Sequence, residues 1–176
     1  MATEAKDGAK PKTTAQVGRA YFEAIGAKDL DLAVTLWKPG SLDRLHGIAE
    51  LTAPDGIRQY FTSLFEAFPD FSFEILEFAA SGKLAACRWR ITGTFLGPGR
   101  FQGLVPNGKA LEIEGCDMLR IEDGLIVENN AYTNAQQIAE ELGVMPPIDS
   151  PAGKAMTGAI NAKTSVAAAV RRMRSR

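Results

Sequence analysis

Residues 110–134, ALEIEGCDMLRIEDGLIVENNAYTN, decide the fold, because they contain two apolar runs joined by Asp123-Gly124. An Asp-Gly pair between two such runs is the strongest short-range signal of a β-hairpin. Alternate residues of a strand point to the same face of a sheet. One face of the first arm is apolar except at Asp117, and it comprises Leu111, Ile113, Gly115, Asp117, Leu119 and Ile121.

Asp117 is the exception that links this hairpin to function. An ionised carboxylate on a core-facing strand costs several kcal/mol unless a partner compensates it. The sequence leaves two explanations open. Asp117 either has a structural partner, namely Arg88, Arg90 or the indole N–H of Trp89 on a neighbouring strand, or it serves proton-transfer chemistry.

The composition indicates a single globular domain with tails. The chain has 176 residues, of which 45% are hydrophobic and 23% charged. No apolar run approaches the ~20 residues of a membrane span, and residues 1–16 lack the apolar segment of a secretory signal. Two cysteines, one histidine and no CxxC motif predict neither a disulfide framework nor a zinc site. A cytoplasmic location is therefore expected.

The charge is distributed unevenly along the chain. Residues 150–176 contain six lysines and arginines and no acid, whereas residues 13–149 contain 11 basic and 19 acidic residues. An acidic body argues against nucleic acid as a partner of the folded domain. The basic, Ala/Arg-rich tail of residues 148–176 could dock on an acidic surface, including anionic lipid.

Apolar periodicity predicts the elements on either side of the hairpin. Helices are expected over about 14–25, from Asp29 to Trp37, from Asp55 to Phe68, and over 135–142, with Asp29 and Asp55 as the N-caps of the second and third helices. Strands are expected at 42–45, 73–79 and 84–95. Helices followed by a run of strands predict an α+β domain over 14–147, preceded by a disordered lead-in at 1–13.

Several stretches carry a family resemblance that spans nearly all of residues 14–147. They are AKDLDLAVTLW (27–37), PDGIRQYFTSLFEAFPDFSFEI (54–75), ITGTFLG (91–97), VPNGKALEIEGCDMLRIEDGLIVE (105–128) and LGVMP (142–146). They resemble the SnoaL-like polyketide cyclase branch of the nuclear-transport-factor-2-like superfamily. The resemblance implies a cone-shaped, strongly curved antiparallel sheet, with three N-terminal helices packed on it, that encloses a pocket. It also implies a homodimer formed through the outer sheet surface, where Cys116 and Met118 lie opposite the Asp117 face.

The resemblance implies a cofactor-free enzyme that closes a ring in a hydrophobic carbonyl compound by intramolecular aldol chemistry. In that family an aspartate before the Asp-Gly turn is the general acid/base, and Asp117 occupies this position. Burial in a water-poor pocket raises the pKa of a carboxylate toward neutrality, as such a base requires. No metal or cofactor is expected.

Two alternatives remain open. A ketosteroid-isomerase-like site would use Tyr21 and a protonated Asp117 to bind the oxyanion, with Asp43 or His46 near the position of the proton shuttle. A protein of the same fold could instead bind a small molecule or act as a scaffold without catalysis.

The residues expected to contact a ligand come from the third helix, the long strand and the last strand. At position 95 the family often has histidine, and after the glutamate of the last strand it often has tryptophan and aspartate, where this chain has asparagines. Strict alternation places Glu128, Asn130 and Tyr132 on one face with Ile126. The expected ligand-contacting residues are Phe61, Phe65, Trp89, Phe95, Glu128, Asn130, Tyr132 and Asn134.

Overall fold

The protein, described here by a computed structural model over residues 12–174, consists of helices packed on one six-stranded sheet. The helices are α1 (Thr14–Gly26), α2 (Leu30–Thr35), α3 (Asp55–Ala67), α4 (Ala135–Glu141) and α5 (Pro151–Arg174). The strands are β1 (Trp37–Leu45), β2 (Ala49–Thr52), β3 (Ser72–Ser81), β4 (Leu84–Thr94), β5 (Ala110–Glu122) and β6 (Leu125–Thr133). Most of the predicted lead-in, residues 1–11, lies outside the described range.

The sheet is open and mixed, with the strand order β2-β1-β6-β5-β4-β3. The predicted α+β class is confirmed. Neighbouring strands are antiparallel except for β1 and β6, which are parallel. The hairpin with β5 fixes the direction of β6, and β6 then lies between β5 and the N-terminal strand β1. The expectation of a purely antiparallel sheet therefore misses this one pairing.

The hairpin forms as its sequence predicts. Glu122 pairs with Leu125, and Asp123 and Gly124 both have positive φ, 51° and 78°. These two left-handed residues give a turn whose twist matches that of the flanking strands. The predicted inner face of β5 is buried along its length, apart from the half-buried Gly115.

Two helix ends differ from the sequence-based prediction. The second helix ends at Thr35, so that Trp37 begins β1 instead of closing a helix face. Asp29 caps α2 by accepting the Leu32 N–H, as expected. Asp55 does not cap α3, because Pro54 occupies the cap position and Asp55 lies in the first turn. A carboxylate there still interacts favourably with the helix dipole.

α1 closes the core over the inner face of the sheet. Val17, Tyr21, Phe22 and Ile25 are buried against β3, β4 and β5, and full burial of such side chains stabilises the fold by roughly 1.5–3 kcal/mol each. The Tyr21 ring meets both Phe22 and Trp37 edge-on. α1 therefore fixes Tyr21 above the centre of the sheet.

α5 replaces most of the tail expected at residues 148–176 with a helix of 24 residues. Its apolar side chains Met156, Ile160, Val166 and Met173 are exposed. At its start Gly153 lies against the carbonyls of Pro147 and Ile148. No helix among residues 12–174 is long and apolar enough to cross a membrane.

Candidate functional site

A cavity of about 330 Å³ lies between the inner face of the sheet and helices α1, α3 and α4. Its wall is almost entirely apolar, and none of the described lining residues is a cation. Among these described residues, Asp117 is the one carboxylate on the wall. The other lining side chains include Tyr21, Phe22, Tyr60, Phe61, Phe73, Trp89, Phe101, Leu111, Ile113, Ala131, Thr133, Ile138 and Leu142.

Trp89 on β4 holds Asp117 from one side. The Trp89 indole Nε1–H donates to Asp117 Oδ1 at 2.7 Å. Trp89 pairs in register with Gly115, two residues before Asp117 on β5. A Cβ at position 115 would lie 2.4 Å from the Trp89 ring, so only glycine allows the indole to lie across β5 and reach Asp117.

Arg88 and Arg90, the other partners considered for Asp117, point away from the cavity. On the outer face of the sheet, Arg88 binds Glu77 and Glu114. Arg90 binds Glu74 and Glu114 there as well. Asp117 therefore lies in the interior without a cationic partner among the described residues.

Asn129 on β6 joins Asp117 to a second buried carboxylate, Asp43 on β1. The Asn129 Nδ2 group donates to Asp117 Oδ2 at 2.6 Å and to Asp43 Oδ1 at 2.9 Å. Asn129 is 0% exposed and Asp43 is 1% exposed. Asp43 does not line the cavity but lies directly behind its wall.

Tyr21 completes this cluster from α1. Its hydroxyl lies near both the Asp43 carboxylate and the Trp37 indole. Within residues 12–174, however, Asp43 Oδ2 and Trp37 Nε1 complete no hydrogen bond at good geometry. Asn129 Oδ1 likewise has no hydrogen-bond partner within this range, so the cluster keeps two acceptors and one donor unsatisfied.

Burial shifts every titratable group of this cluster toward its neutral form. Desolvation, with the Asp117 charge nearby, raises the pKa of Asp43 to about 7. Desolvation also raises the pKa of Asp117, while the hydrogen bonds from Trp89 and Asn129 oppose that rise. The pKa of Tyr21 lies well above its usual value, because burial and both carboxylates disfavour the phenolate.

The structure brings together four of the sequence-predicted site residues on the cavity wall: Asp117, Tyr21, Trp89 and Phe61. Asp43 joins them through Asn129. Such a cluster can accept a proton from a bound molecule at one group and offer a proton at another. No group of three or more His, Cys, Asp or Glu side chains that could hold a metal ion occurs in the described part of the chain.

Glu128, Asn130 and Tyr132 lie outside the cavity, on the outer face of the sheet, contrary to the prediction. Where β5 pairs with β6, Arg120 lies opposite Glu128 and the next residue, Ile121, lies opposite Ile126. Val127 is therefore an extra residue in a bulge of β6. A bulge changes the phase of the alternation, and Asn129 consequently points inward where strict alternation placed Asn130.

These outer-face side chains contact residues of β1 and β5 and His46, which follows β1. Glu128 binds Arg44 and Arg120. His46 is exposed, stacks on Tyr132 with ring centroids 4.5 Å apart, and bonds to Asn130. The structure therefore separates His46 from Asp117, Tyr21 and the cavity.

Three further residues that were predicted to contact a ligand have structural roles instead. Phe95 is fully buried and stacks on Phe68, away from the cavity wall. Phe65 packs on Phe61 and Phe71 without lining the cavity. Asn134 is exposed and caps α4 by accepting the Gln137 N–H.

Sequence reasoning missed Asn129 and the contribution of α4. The bulge that turns Asn129 inward leaves no mark in the sequence pattern. The wall formed by Ala135, Ile138, Ala139 and Leu142 was detectable, because these residues recur at helical spacing and share one face.

A family model described as SnoaL-like polyketide cyclase matches residues 15–142. None of the curated proteins compared with the sequence matches it.

Solved structures of the same fold cover three quarters or more of the chain. IdmH from Streptomyces antibioticus, a candidate polyketide cyclase, is 24% identical with a TM-score of 0.60 over 75% of this chain and 99% of its own. AclR from Streptomyces galilaeus, a candidate hydroxylase, is 23% identical with a TM-score of 0.64 over 76% of this chain and 97% of its own. A candidate SnoaL-like polyketide cyclase from Jannaschia sp. CCS1 is 20% identical with a TM-score of 0.66 over 81% of this chain and 100% of its own.

Proposed function

The chain belongs to the SnoaL-like polyketide cyclase family, and we propose that it closes a ring in a neutral carbonyl compound by cofactor-free intramolecular aldol addition. The observation that supports this most is the position of Asp117, the single carboxylate among the described residues of an almost entirely apolar cavity wall. The family and the fold support a cyclase-like function. The reaction and the substrate class are our inference from the cavity.

Asp117 is the general base of the proposed reaction. Its two oxygens accept hydrogen bonds from Trp89 and Asn129, which fix the orientation of the carboxylate and favour its ionised form. Burial opposes ionisation and raises the pKa of Asp117. A base with a raised pKa is better matched to a weakly acidic C–H bond next to a carbonyl group.

Tyr21 is the group best placed to act on the substrate oxygen. It lines the same cavity as Asp117, and its raised pKa keeps the hydroxyl protonated. A protonated hydroxyl can donate to the oxygen on which negative charge develops as the carbon–carbon bond forms. Asp117 therefore removes the α-proton, while the Tyr21 hydroxyl stabilises the negative charge that develops on the acceptor oxygen.

The cavity wall favours a neutral and largely apolar substrate. None of the lining residues within 12–174 is a cation that could pair with a carboxylate or phosphate of a ligand, and burying an unpaired charge is costly. A volume of about 330 Å³ is at the lower end of the range typical of small-molecule sites. A compact molecule with aromatic or aliphatic rings and a few carbonyl oxygens fits these limits.

A ketosteroid-isomerase-like reaction is the second candidate, because Tyr21 and the two carboxylates Asp43 and Asp117 form one buried cluster. An isomerase moves a proton between two carbons of an unsaturated ketone with the same kinds of groups. The two candidates differ in whether a carbon–carbon bond forms.

The test compares two probes under the same conditions. One is an aryl keto-aldehyde whose enolate can reach its own aldehyde, and the other is a β,γ-unsaturated cyclic ketone. A cyclase accelerates ring closure of the first, whereas an isomerase moves the double bond of the second into conjugation. Acceleration of ring closure over the buffer rate supports the proposal. Binding of both probes without acceleration of either reaction contradicts it and favours a non-catalytic binder.

A further inference from the structure

Asn129 contacts both carboxyl groups of the cluster through the NH₂ of its side-chain amide. Its two N–H bonds point to Asp117 Oδ2 at 2.6 Å and to Asp43 Oδ1 at 2.9 Å. An oxygen that accepts such a hydrogen bond does not carry a proton toward the same donor. These two carboxyl oxygens are therefore both acceptors.

The remaining two oxygens of the pair differ from each other. Asp117 Oδ1 accepts the Trp89 indole N–H at 2.7 Å. Asp43 Oδ2 accepts no hydrogen bond of good geometry from the described residues, although the Tyr21 hydroxyl lies close to the Asp43 carboxyl group. Of the four oxygens, Asp43 Oδ2 alone has no N–H directed at it, so it is the one that can hold a proton without displacing a donor.

We propose that Asn129 is a positioning residue that keeps Asp117 ionised and Asp43 protonated, and that Asp43 supplies its proton to Tyr21 during turnover. This inference rests on the proposed function, in which Asp117 is the base and Tyr21 faces the substrate oxygen. It differs from the isomerase-like arrangement, in which Asp117 itself would be the protonated group.

The surroundings of the pair are consistent with one shared proton. The groups facing Asp43 are Tyr21 on α1, Trp37 on β1, Tyr60 on α3, Asp117 on β5 and Asn129 on β6. Cys87 on β4 lies near Asp117. None of these groups is a cation, and two adjacent buried carboxylates do not both ionise readily without one. Burial and the Asp117 charge accordingly raise the pKa of Asp43 to about 7.

The reaction balances with this placement of the proton. Asp117 takes the α-proton, and the electron pair of that C–H bond forms the new bond to the acceptor carbonyl carbon. The acceptor oxygen takes the Tyr21 hydroxyl proton, and Tyr21 takes the proton from Asp43 Oδ2. The pair then holds its one proton on Asp117 instead of Asp43. After product release, water entering the cavity passes that proton through Tyr21 back to Asp43.

The test measures the protonation state of the two carboxyl groups directly, in the wild-type protein. Aspartate labelled with ¹³C at the carboxyl carbon is incorporated, and its resonances are assigned through bonds and followed from acid to alkaline pH. The chemical shift of each carbon distinguishes the acid from the carboxylate. At about pH 6 the acid form of Asp43 should exceed its ionised form by about tenfold, while Asp117 is ionised. An acid form on Asp117 with Asp43 ionised, or two ionised groups at that pH, would overturn the inference.

A matched pair of variants tests the role of Asn129. Asn129→Leu keeps a similar volume but removes both donated hydrogen bonds, so the titration of Asp117 should move to higher pH. Asn130→Leu makes the same replacement one residue later, on the outer face, and should leave both titrations unchanged. An Asn129→Leu protein that folds and titrates like wild type would also overturn the inference.

These measurements need no turnover, so they separate the two proposals. The expected titration together with inactivity toward both probes contradicts the proposed function alone. Activity together with a proton on Asp117 in the resting protein contradicts this inference alone.

Discussion

Gly115 and Trp89 face each other across β5 and β4, and their close contact places the indole against Asp117. A methyl group at position 115 would lie 2.4 Å from the Trp89 ring and 2.8 Å from the Tyr132 carbonyl oxygen. Gly115→Ala should therefore displace the indole and weaken its hydrogen bond to Asp117. We expect a loss of about 1–3 kcal/mol in the free energy of unfolding and slower turnover.

Urea unfolding and Trp fluorescence measure this effect. Gly158→Ala is the matched control, because a methyl group at position 158 on α5 meets nothing within 4 Å. If Gly115→Ala unfolds at the wild-type urea concentration with an unchanged indole spectrum, the tight contact between Gly115 and Trp89 is not present in solution.

At the residue scale, the sequence predicted the carboxylate on the cavity wall and included one of its two hydrogen-bond donors among the possible partners, but it did not indicate the other donor. Asp117 was identifiable because a carboxylate interrupts an otherwise apolar strand face. Among the partners considered for it, Trp89 is its hydrogen-bond donor, while Arg88 and Arg90 lie on the other face. Asn129 was missed because its orientation depends on a backbone bulge, which no side-chain pattern reveals.

At the element scale, the bulge at Val127 determines which side chains of β6 reach the cavity. Ala131 lines the cavity and is buried, whereas its neighbour Asn130 lies on the outer face beside His46. Ala131→Leu should fill part of the cavity and weaken binding of the keto-aldehyde probe at least tenfold, as expected for about 1.4 kcal/mol of steric cost. Asn130→Leu should leave the affinity within about twofold.

Calorimetric titration of the two variants measures this difference. If Asn130→Leu weakens binding as much as Ala131→Leu does, β6 lacks the bulge and its faces follow strict alternation.

Elements with clear local signals were predicted well, and those that depend on distant contacts were not. The Asp123-Gly124 hairpin and the Asp29 cap of α2 follow from local chemistry. Trp37 was placed on a helix, because its apolar spacing fits a helix face, but pairing with β6 draws it into β1. The parallel contact of β1 and β6 joins positions far apart in the sequence, so periodicity could not indicate it.

For the whole molecule, the buried carboxylates should make stability depend on pH. The pKa of Asp43 rises from 3.8 to about 7 in the folded protein, and that of Asp117 rises as well. The folded state therefore keeps protons that the unfolded chain releases as pH rises above about 4. Stability should fall as pH increases from about 5 to about 7, by up to about 1.4 kcal/mol per pH unit for each retained proton.

Urea unfolding at about pH 5 and about pH 8 measures this loss. The carboxylates with lowered pKa, such as Asp70 and Glu128, contribute at more acidic pH and do not mask it. Asp43→Asn should reduce the difference between the two values. A wild-type protein that is more stable at about pH 8 would show that the pair is ionised in the folded state.

We also propose that two copies of the chain associate through the outer face of the sheet. On this face Met118 and Tyr132 are large and exposed, whereas the part formed by β3 and β4 is covered by ion pairs of Arg88 and Arg90. Met118→Asp combined with Tyr132→Asp should convert a dimer into a monomer in sedimentation equilibrium. A wild-type mass equal to that of one chain at micromolar concentration would contradict the proposal.

In the proposed reaction Asp117 removes a proton from a carbon next to a carbonyl group inside the cavity. The most direct test is the exchange of α-protons of β-tetralone, a neutral bicyclic ketone, in D₂O, followed by NMR as a function of pH. The wild-type rate should rise with pH as Asp117 ionises and then level off, and Asp31→Asn, which changes an exposed carboxylate, should behave identically. Asp117→Asn should fold but exchange no faster than buffer at every pH. Wild-type exchange in a folded Asp117→Asn protein would contradict the account.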